Sequence, residues 1–244
     1  MSEVRFPVVE LRQYTLHPGM RDVLVGLFDR EFVETQEATG MAVLGQFTDL
    51  DDADRFVWLR GFSDMDRRRV ALANFYGGPV WKAHRVEANA TMVDSDDVLL
   101  LRPVDAVSGF PVPPRPRPRV GAAELPSSVI VATVCYLRRT LDDGFLDFYR
   151  HRMLPVLSDG GAAPLACLTT EYAENTFPAL PVRTGHNAFV WFTRFAGRTD
   201  FDSYLKHLAN SDAWQDHVLP ALSEELVSHP RHLRLAPTAR SLLS

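Results

Sequence analysis

The sequence predicts an α+β protein made of two tandem units. Three observations predict it: a proline-rich stretch in mid-chain, an internal repeat marked by tryptophans, and the same order of strands and helices in both halves. Seven of the 17 prolines lie between Pro103 and Pro126, and proline is excluded from helix and sheet interiors. We therefore expect a domain at residues 1–103, an extended connector at 104–127 and a second domain at 128–244. A PxxP peptide ligand is the less favoured interpretation of this stretch, because patterned sequence flanks it on both sides.

The four tryptophans form two pairs with the same spacing (81 − 58 = 214 − 191 = 23). They are Trp58 with Trp81 and Trp191 with Trp214. At the offset that superimposes the pairs (191 − 58 = 133), residues 56–84 align without gaps on residues 189–217 and share seven identities in 29 positions. A repeat present in only two copies indicates a duplicated supersecondary unit rather than a solenoid.

Four strands are predicted in the first half. Val8–Leu16 alternates apolar and polar residues and is rich in β-forming side chains, as is typical of a strand. Turn sequences such as the acidic Asp49–Asp54 separate the other strands. These are Met41–Thr48, Arg55–Phe62 and Val98–Arg102.

Apolar residues at helical spacing predict one long helix and one divided helix in the same half. Gly40 suits the end of the long helix, whereas Gly77 and Gly78 interrupt the divided one. Serine is a favoured N-cap, and proline suits a first helical turn. The predicted helices are Met20–Thr39, Ser63 as N-cap to about Phe75, and Pro79 to about Thr91.

The second half repeats this order. Its predicted strands are Val129–Arg138, Leu165–Tyr172, Asn187–Phe195 and Arg231–Ala236, and its predicted helices are Asp142–Leu157, Asp200–Ala209 and Ser211–Val227. The βαββαβ order predicts two tandem ferredoxin-like domains. An insertion, Ala173–His186, lengthens one hairpin, and we interpret it as a long loop in preference to a flap over a site.

The two faces of the first-half sheet differ in chemistry, because successive side chains of a strand point to opposite faces. We predict that Val57 and Leu59 pack under the helices. The opposite face collects aromatic and charged residues: Glu10, Arg12, Tyr14, Phe56, Trp58, Arg60 and Phe62. We expect this face to pack against its equivalent in the other half or in another chain, closing a barrel around a partly polar cavity. The alternative is a packed core in which Glu10 and Arg12 form a structural ion pair.

Three motifs carry a resemblance to a known family. Glu10-Leu-Arg-Gln-Tyr14, Phe56-Val-Trp-Leu-Arg-Gly-Phe62 and Gly78-Pro-Val-Trp-Lys-Ala-His84 resemble NIPSNAP domains, which belong to the dimeric α+β barrel superfamily. The resemblance is specific over residues 8–103 and looser over 128–237, where the E-x-R-x-Y pattern is lost. It therefore implies that the first half holds the polar groups of any site.

The resemblance implies chemistry on small aromatic or polyketide-like molecules, since the superfamily includes cofactor-independent oxygenases, haem enzymes, isomerases and decarboxylases. Oxygenation without a cofactor needs a base and a group that holds an oxyanion. We predict His84 as the base and Arg12 with Tyr14 as the oxyanion-holding groups. A packing or capping role is the alternative for His84, because His217 duplicates it in the repeat. The predicted substrate-binding residues are Glu10, Phe56, Trp58, Arg60 and Trp81.

Net charge and the lengths of the apolar runs disfavour two classes of partner, nucleic acids and membranes. A net charge of −5 disfavours nucleic-acid binding, and no apolar run is long enough to span a bilayer. The sequence predicts no export signal, and Cys135 and Cys167 show no C-x-x-C pattern, so we expect a cytoplasmic location and core packing for both thiols.

His229 and His232 form the one close histidine pair, and we interpret that segment as a surface turn because Pro230 lies between them.

We therefore expect a small-molecule ligand, a homodimer, no cofactor and no metal. The alternative function is a non-catalytic ligand-binding or assembly module, and a haem-binding enzyme is less favoured because nothing in the spacing marks an axial ligand.

Overall fold

The computed structural model describes residues 6–111 and 116–244. Eight antiparallel strands close a barrel in the order β1-β3-β2-β8-β5-β7-β6-β4. The strands are β1 (Val8–Leu16), β2 (Ala42–Asp49), β3 (Arg55–Phe62), β4 (Met92–Pro103), β5 (Val129–Leu137), β6 (Pro164–Thr170), β7 (Asn187–Phe195) and β8 (Arg231–Pro237). Two seams join the halves: β4 pairs with β6 and β2 pairs with β8. The barrel therefore closes within a single chain.

Helices cover the outside of the barrel. They are α1 (Arg21–Leu27), α2 (Val33–Glu37), α3 (Met65–Gly77), α4 (Pro79–Ala90), α5 (Asp143–Phe148), α6 (Leu154–Asp159), α7 (Arg198–Ala209) and α8 (Leu219–Glu225). Three π-helical segments adjoin them: Phe28–Phe32, Tyr149–Met153 and Ala213–Val218. Within the described residues, no helix has the length and apolar character needed to cross a bilayer.

Several element boundaries differ from the sequence prediction, and two of these differences have a clear physical reason. Asp64, and not Ser63, caps α3: its carboxylate accepts a hydrogen bond of 2.6 Å from the backbone N–H of Arg67. A carboxylate also interacts favourably with the positive end of the helix dipole. Strand β4 begins at Met92 rather than Val98. Three of its six added residues are aspartates and none of the six is buried, so their pattern resembles a turn, yet Asp94 pairs with Thr15 of β1.

A cluster of buried aliphatic and aromatic residues from all eight strands fills the barrel interior. Val57 and Leu59 lie there, fully buried, so the prediction that they pack under the helices is wrong. Trp58 instead packs with helix residues such as Phe28 and Leu72. The reason is geometric: an eight-stranded barrel is only wide enough for its own side chains, so its interior takes compact apolar groups. The charged and aromatic face therefore lies under the helices.

Segments outside the strands complete the interior. Phe110, from the connector, reaches the barrel core and packs 4.9 Å from the ring of Phe192. Leu243, close to the C-terminal residue of the sequence, packs in the same core. The described parts of the connector contain no strand or helix, and residues 112–115 of the proline-rich stretch lie outside the described residues.

Strand order and register are the same in the two halves. The order is β2-β3-β1-β4 in the first and β6-β7-β5-β8 in the second. Arg12 of β1 is paired with Trp58, and Thr133 of β5 is paired with Trp191. Corresponding positions can therefore be compared side chain by side chain.

Candidate functional site

A buried ionic cluster lies between the first-half sheet and its helices. The Glu10 cluster consists of Glu10 and Arg12 of β1, Arg60 of β3 and Arg68 of α3, each at most 1% exposed. Arg12 Nη1 and Arg60 Nε each donate a 2.7 Å hydrogen bond to Glu10 Oε2. Arg68 Nε donates at 2.7 Å to Glu10 Oε1. One carboxylate thus receives three guanidinium groups.

The cluster is charged at every working pH. Burial alone would raise the pKa of Glu10, but the guanidinium groups of Arg60, Arg12 and Arg68 outweigh it and hold that pKa well below its usual range. Burial lowers the pKa of Arg68, although Glu10 opposes this effect. Arginine nevertheless stays protonated in proteins. The cluster therefore carries three positive charges and one negative charge.

Aromatic rings and neutral oxygens surround these charges. Arg12 Nε donates a 3.0 Å hydrogen bond to the hydroxyl of Tyr14. Arg60 lies over the ring of Trp58 at 5.0 Å, a cation–π contact worth about 0.5–2 kcal/mol. Burial raises the pKa of Tyr14 despite the opposing charge of Arg12, so Tyr14 is neutral at pH 7. None of these neighbours supplies a negative charge.

The insertion Ala173–His186 covers this cluster from the other half. Arg68 Nη1 donates a 3.0 Å hydrogen bond to Asn175 Oδ1, and the Thr176 hydroxyl donates at 3.1 Å to the carbonyl of Met65. Phe177 stacks on Tyr76 with ring centroids 6.0 Å apart. The insertion is thus a packed cover over the first-half cluster.

Little space remains in the first half. The first-half cavity, between the sheet and the helices, has a volume of about 30 Å³ and is lined in part by Tyr14, Trp58, Tyr76 and Trp81. That volume holds on the order of one or two water molecules, far below the roughly 300–1,000 Å³ of typical ligand pockets.

The structure brings together most of the first-half residues that the sequence singled out. Glu10, Arg12, Tyr14, Trp58 and Arg60 contact one another, and Phe56 and Trp81 pack in the same apolar cluster. His84 lies apart from them on α4. Its ring nitrogens are 3.6 Å from the Glu31 carboxylate and 3.7 Å from the Glu87 carboxylate. It is not among the described residues that line the first-half cavity.

The second half holds a much larger space at the corresponding position. The second-half cavity has a volume of about 260 Å³ and lies between β5, β7 and β8 and the helices that cover them. Its lining is dominated by aliphatic and aromatic side chains. They include Leu157, Trp191, Phe195, Phe201, Tyr204, Leu208, Trp214, Leu219 and Leu222.

Few polar groups face this cavity, and three of them are chemically notable. His232 Nδ1 and the Thr133 hydroxyl are 3.0 Å apart, on neighbouring strands. Burial lowers the pKa of His232, which favours the neutral imidazole at pH 7 even though the side chain remains accessible to solvent. The hydroxyl of Tyr204 is buried and has no hydrogen-bond partner, and burial raises the pKa of Tyr204 to about 12.

The second-half cavity exists because smaller or apolar side chains replace the ionic cluster. The strand registers and the tryptophan offset define the equivalent positions. They are Glu10 and Val131, Arg12 and Thr133, Tyr14 and Cys135, Arg60 and Thr193, Arg68 and Phe201, and Tyr76 and Ala209. Of the second-half members, all but Cys135 line the cavity. The loss of the E-x-R-x-Y pattern therefore opens space that the first half fills.

Sequence reasoning missed the residues of this cavity. The interpretation of His229–His232 as a surface turn is wrong for His232, which lies on β8 and lines the cavity. Tyr204 and Thr193 were not singled out at all. A signal was present in the repeat alignment, where Tyr76 and Arg60 are matched by the much smaller Ala209 and Thr193.

Other candidate chemistries find little support among the described residues. No group of three or more His, Cys, Asp or Glu side chains there is arranged to hold a metal ion. Both thiols are buried, as expected, and burial raises the pKa of Cys135 and of Cys167 to about 12. A thiol with so high a pKa is a poor nucleophile.

Comparison with protein families matches residues 9–107 to the NIPSNAP family model, which confirms the resemblance of the first half. A comparison with curated proteins found no match. Among solved structures, a candidate monooxygenase from Fusobacterium nucleatum aligns with 96% of this chain and 93% of its own, at a TM-score of 0.57 and 11% identity. An anthrone oxidase-like protein aligns with 97% of this chain and 94% of its own, at a TM-score of 0.54 and 11% identity.

A second candidate monooxygenase, from Lactobacillus acidophilus, aligns with 96% of this chain and 94% of its own, with a TM-score of 0.52 and 9% identity. At such low identities these likenesses establish the mixed α/β barrel fold over nearly the whole chain, and fold alone does not fix a reaction.

Proposed function

We propose that this chain, which matches the NIPSNAP family over residues 9–107, is a cofactor-independent oxygenase of small aromatic, polyketide-like molecules. The second-half cavity is the proposed substrate site. One observation carries the proposal: an apolar, aromatic-lined space of about 260 Å³ contains an unpartnered buried hydroxyl, that of Tyr204, together with a histidine of lowered pKa, His232. The names of the structural neighbours, monooxygenase and anthrone oxidase-like, support the reaction class.

His232 is the proposed general base. A neutral imidazole can remove a proton from an acidic methylene or phenol, and contact of Nδ1 with Thr133 fixes the orientation of the ring. Tyr204 is the proposed donor to the resulting oxyanion, because its hydroxyl has no competing partner in the described residues. The largely apolar walls suit an aromatic ring and dioxygen. One CH2 group and one O2 become one C=O group and one H2O, which balances without an external reductant.

Two other functions use the same cavity. An isomerase needs the base and the oxyanion donor but no oxygen, so oxygen consumption separates it from an oxygenase. A non-catalytic module needs only the apolar walls and the Tyr204 hydroxyl. In that case His232 is dispensable for binding.

The domain division, the first-half site residues and the homodimer that the sequence predicts are also part of this proposal. We propose that the chain is a fused pair of ferredoxin-like units, at residues 1–103 and 128–244, joined by the connector at 104–127. The repeated strand order supports this division. Arg12 and Tyr14 stay proposed functional residues of the first half, with a space of about 30 Å³ beside them that suits a small group. A homodimer also stays a prediction.

Anthrone, which has an acidic methylene between two rings, is a suitable probe. We expect purified protein to consume oxygen and form anthraquinone from it without added metal, flavin or haem. His232→Gln is expected to lower kcat at least tenfold while anthrone still binds. Binding without oxygen uptake by the wild-type protein would contradict the oxygenase and support the binding module.

Native mass spectrometry on protein purified without added cofactor supplies an independent check. A mass excess that disappears on denaturation would identify a retained ligand, and the assembly mass tests the homodimer. A retained haem would overturn the proposal that no cofactor takes part.

A further inference from the structure

Tyr204, the proposed donor in the second-half cavity, lies in α7 and packs against the end of α6. Its side chain is buried, and its ring contacts that of Phe195 with centroids 5.3 Å apart. Gly160, the residue that follows α6, lies against the edge of the same ring. The repeat places Ala71 at the position equivalent to Tyr204 (204 − 133 = 71), so this ring belongs to the second half alone.

The Tyr204 ring occupies the place where a side chain of residue 160 would lie. A Cβ atom built on Gly160 with ideal geometry would be 2.8 Å from Tyr204 Cε2, 2.9 Å from Tyr204 Cδ2 and 3.1 Å from His207 Cδ2. Carbon atoms in contact are ordinarily about 3.5–4.0 Å apart. Any other residue at position 160 therefore has to displace the ring by roughly 0.7 Å or more.

Backbone conformation does not explain the glycine at position 160. Its φ is −66°, a value that residues with a side chain adopt without strain. The next residue, Gly161, has a φ of +81°, in the region that favours glycine. The two adjacent glycines thus have different physical causes: Gly161 turns the chain, and Gly160 leaves room for the tyrosine ring.

The position of the Tyr204 hydroxyl depends on this close approach. Hydrogen bonds between oxygens span about 2.5–3.0 Å, so a displacement of about 0.7 Å at the donor is enough to break one. Rotation of the ring in place would spare the hydroxyl, but the Phe195 ring, tilted by 52° and in contact with it, opposes that rotation. A displaced ring therefore carries its hydroxyl away from a bound ligand.

We propose that Gly160 is a positioning residue that makes the second-half cavity selective for aromatic ring systems with a carbonyl acceptor over the same rings without one. It acts through Tyr204, whose ring lies against the bare backbone and whose hydroxyl donates to the carbonyl oxygen of the ligand. This role rests on the donor function proposed for Tyr204 but not on the reaction with oxygen, because the hydrogen bond forms on binding. The substrate class it implies is that of cyclic aromatic ketones and their enolates.

The test compares the binding of anthrone and of dihydroanthracene, measured without oxygen by quenching of tryptophan fluorescence. Dihydroanthracene keeps the three rings and has CH2 in place of the carbonyl. Wild-type protein is expected to bind anthrone about tenfold more tightly, and in Gly160→Ala this ratio should fall to about one with little change in the affinity for dihydroanthracene. A general distortion of the cavity would weaken both ligands and leave the ratio unchanged, and that result would overturn the proposal.

Two further variants separate the positioning role from a structural one. Gly77→Ala is the matched control and should keep the wild-type ratio, because Gly77 ends α3 and a Cβ atom there meets nothing within 4 Å. Tyr204→Phe has no hydroxyl to position, so adding Gly160→Ala to it should leave the ratio as it is in Tyr204→Phe. A changed ratio in that double variant would mean that Gly160 acts through another group.

Oxygen uptake with anthrone separates the positioning role from the oxygenase. A ratio that depends on Gly160 in protein that consumes no oxygen would overturn the oxygenase and support the positioning role. Oxygen uptake together with equal ratios in the wild type and in Gly160→Ala would support the oxygenase and overturn the positioning role. Equal affinities of the wild-type protein for the two ligands would contradict both the donor function of Tyr204 and the role of Gly160.

Discussion

Arg12 and Thr133 occupy the same position in the two halves of the barrel: each is paired with the tryptophan of the third strand, Trp58 or Trp191. At one position an arginine joins a buried ionic cluster, and at the other a threonine lines an open cavity. The two halves therefore use one framework in two ways: the first holds buried charge and the second encloses a cavity. Each of the following predictions tests one side of this division.

Filling the second-half cavity should remove ligand binding with little effect on the fold. Ala209 lines the cavity near the end of α7, is exposed, and corresponds to Tyr76 in the first half. Ala209→Trp is therefore expected to weaken anthrone binding at least tenfold, measured by quenching of tryptophan fluorescence. Ala73→Trp, at an exposed position of α3 outside the cavity, is the matched control and should bind normally. Normal binding by both variants would exclude this cavity as the site.

Removing the Tyr204 hydroxyl should raise the stability of the protein but weaken ligand binding. Because this buried hydroxyl has no partner, Tyr204→Phe is expected to raise the free energy of unfolding by about 1 kcal/mol. The same change should weaken anthrone binding about tenfold, since the ligand loses its donor. Tyr149→Phe is the control: that hydroxyl contacts Cys167 Sγ at 2.5 Å, away from the cavity, so stability should fall by about 1 kcal/mol and binding should not change. Urea denaturation and titration measure the two effects.

The pH dependence of turnover should report His232. Burial lowers its pKa, so the neutral base persists below the ordinary histidine range and is lost only as the pH falls further. We expect the acidic limb of kcat against pH to have its midpoint below about 6.5 and to disappear in His232→Gln, with only residual activity. An acidic limb that is unchanged in this variant would mean that another group is the base.

Much of this fold follows from the sequence, because periodicity records local structure. β1, β3 and β7 have the predicted bounds, and the tryptophan repeat anticipated the shared register of the halves. The orientation of the first-half sheet could not be read in the same way. Alternation separates Val57 from Trp58 but does not say which face meets the helices, since both faces are buried. Barrel closure decides this, and it depends on contacts between distant strands.

The candidate site was harder to predict than the fold for a related reason. Charged residues such as Glu10 and Arg12 attract notice in a sequence, whereas a cavity arises where side chains are small. Thr193 and Ala209 are unremarkable by themselves, and they matter because Arg60 and Tyr76 fill the same positions in the other half. A comparison of the repeats for loss of volume, rather than for identity, would have pointed to the second half.

Neutralising Glu10 should show how far the first half depends on its one buried carboxylate. Glu10→Gln keeps the shape but leaves three guanidinium groups without an anionic partner, so we expect a loss of about 3–5 kcal/mol in the free energy of unfolding at pH 7. The folded-state pKa of Glu10 lies below its unfolded value, so its contribution is complete above the unfolded pKa and is lost as the pH falls below about 4. The variant should therefore lose less stability than the wild type between pH 5 and about pH 2. Asp51→Asn, at an exposed pair with Arg234, is the control and should cost below about 1 kcal/mol. Equal losses in the two variants would show that the cluster is no more than a surface-like ion pair.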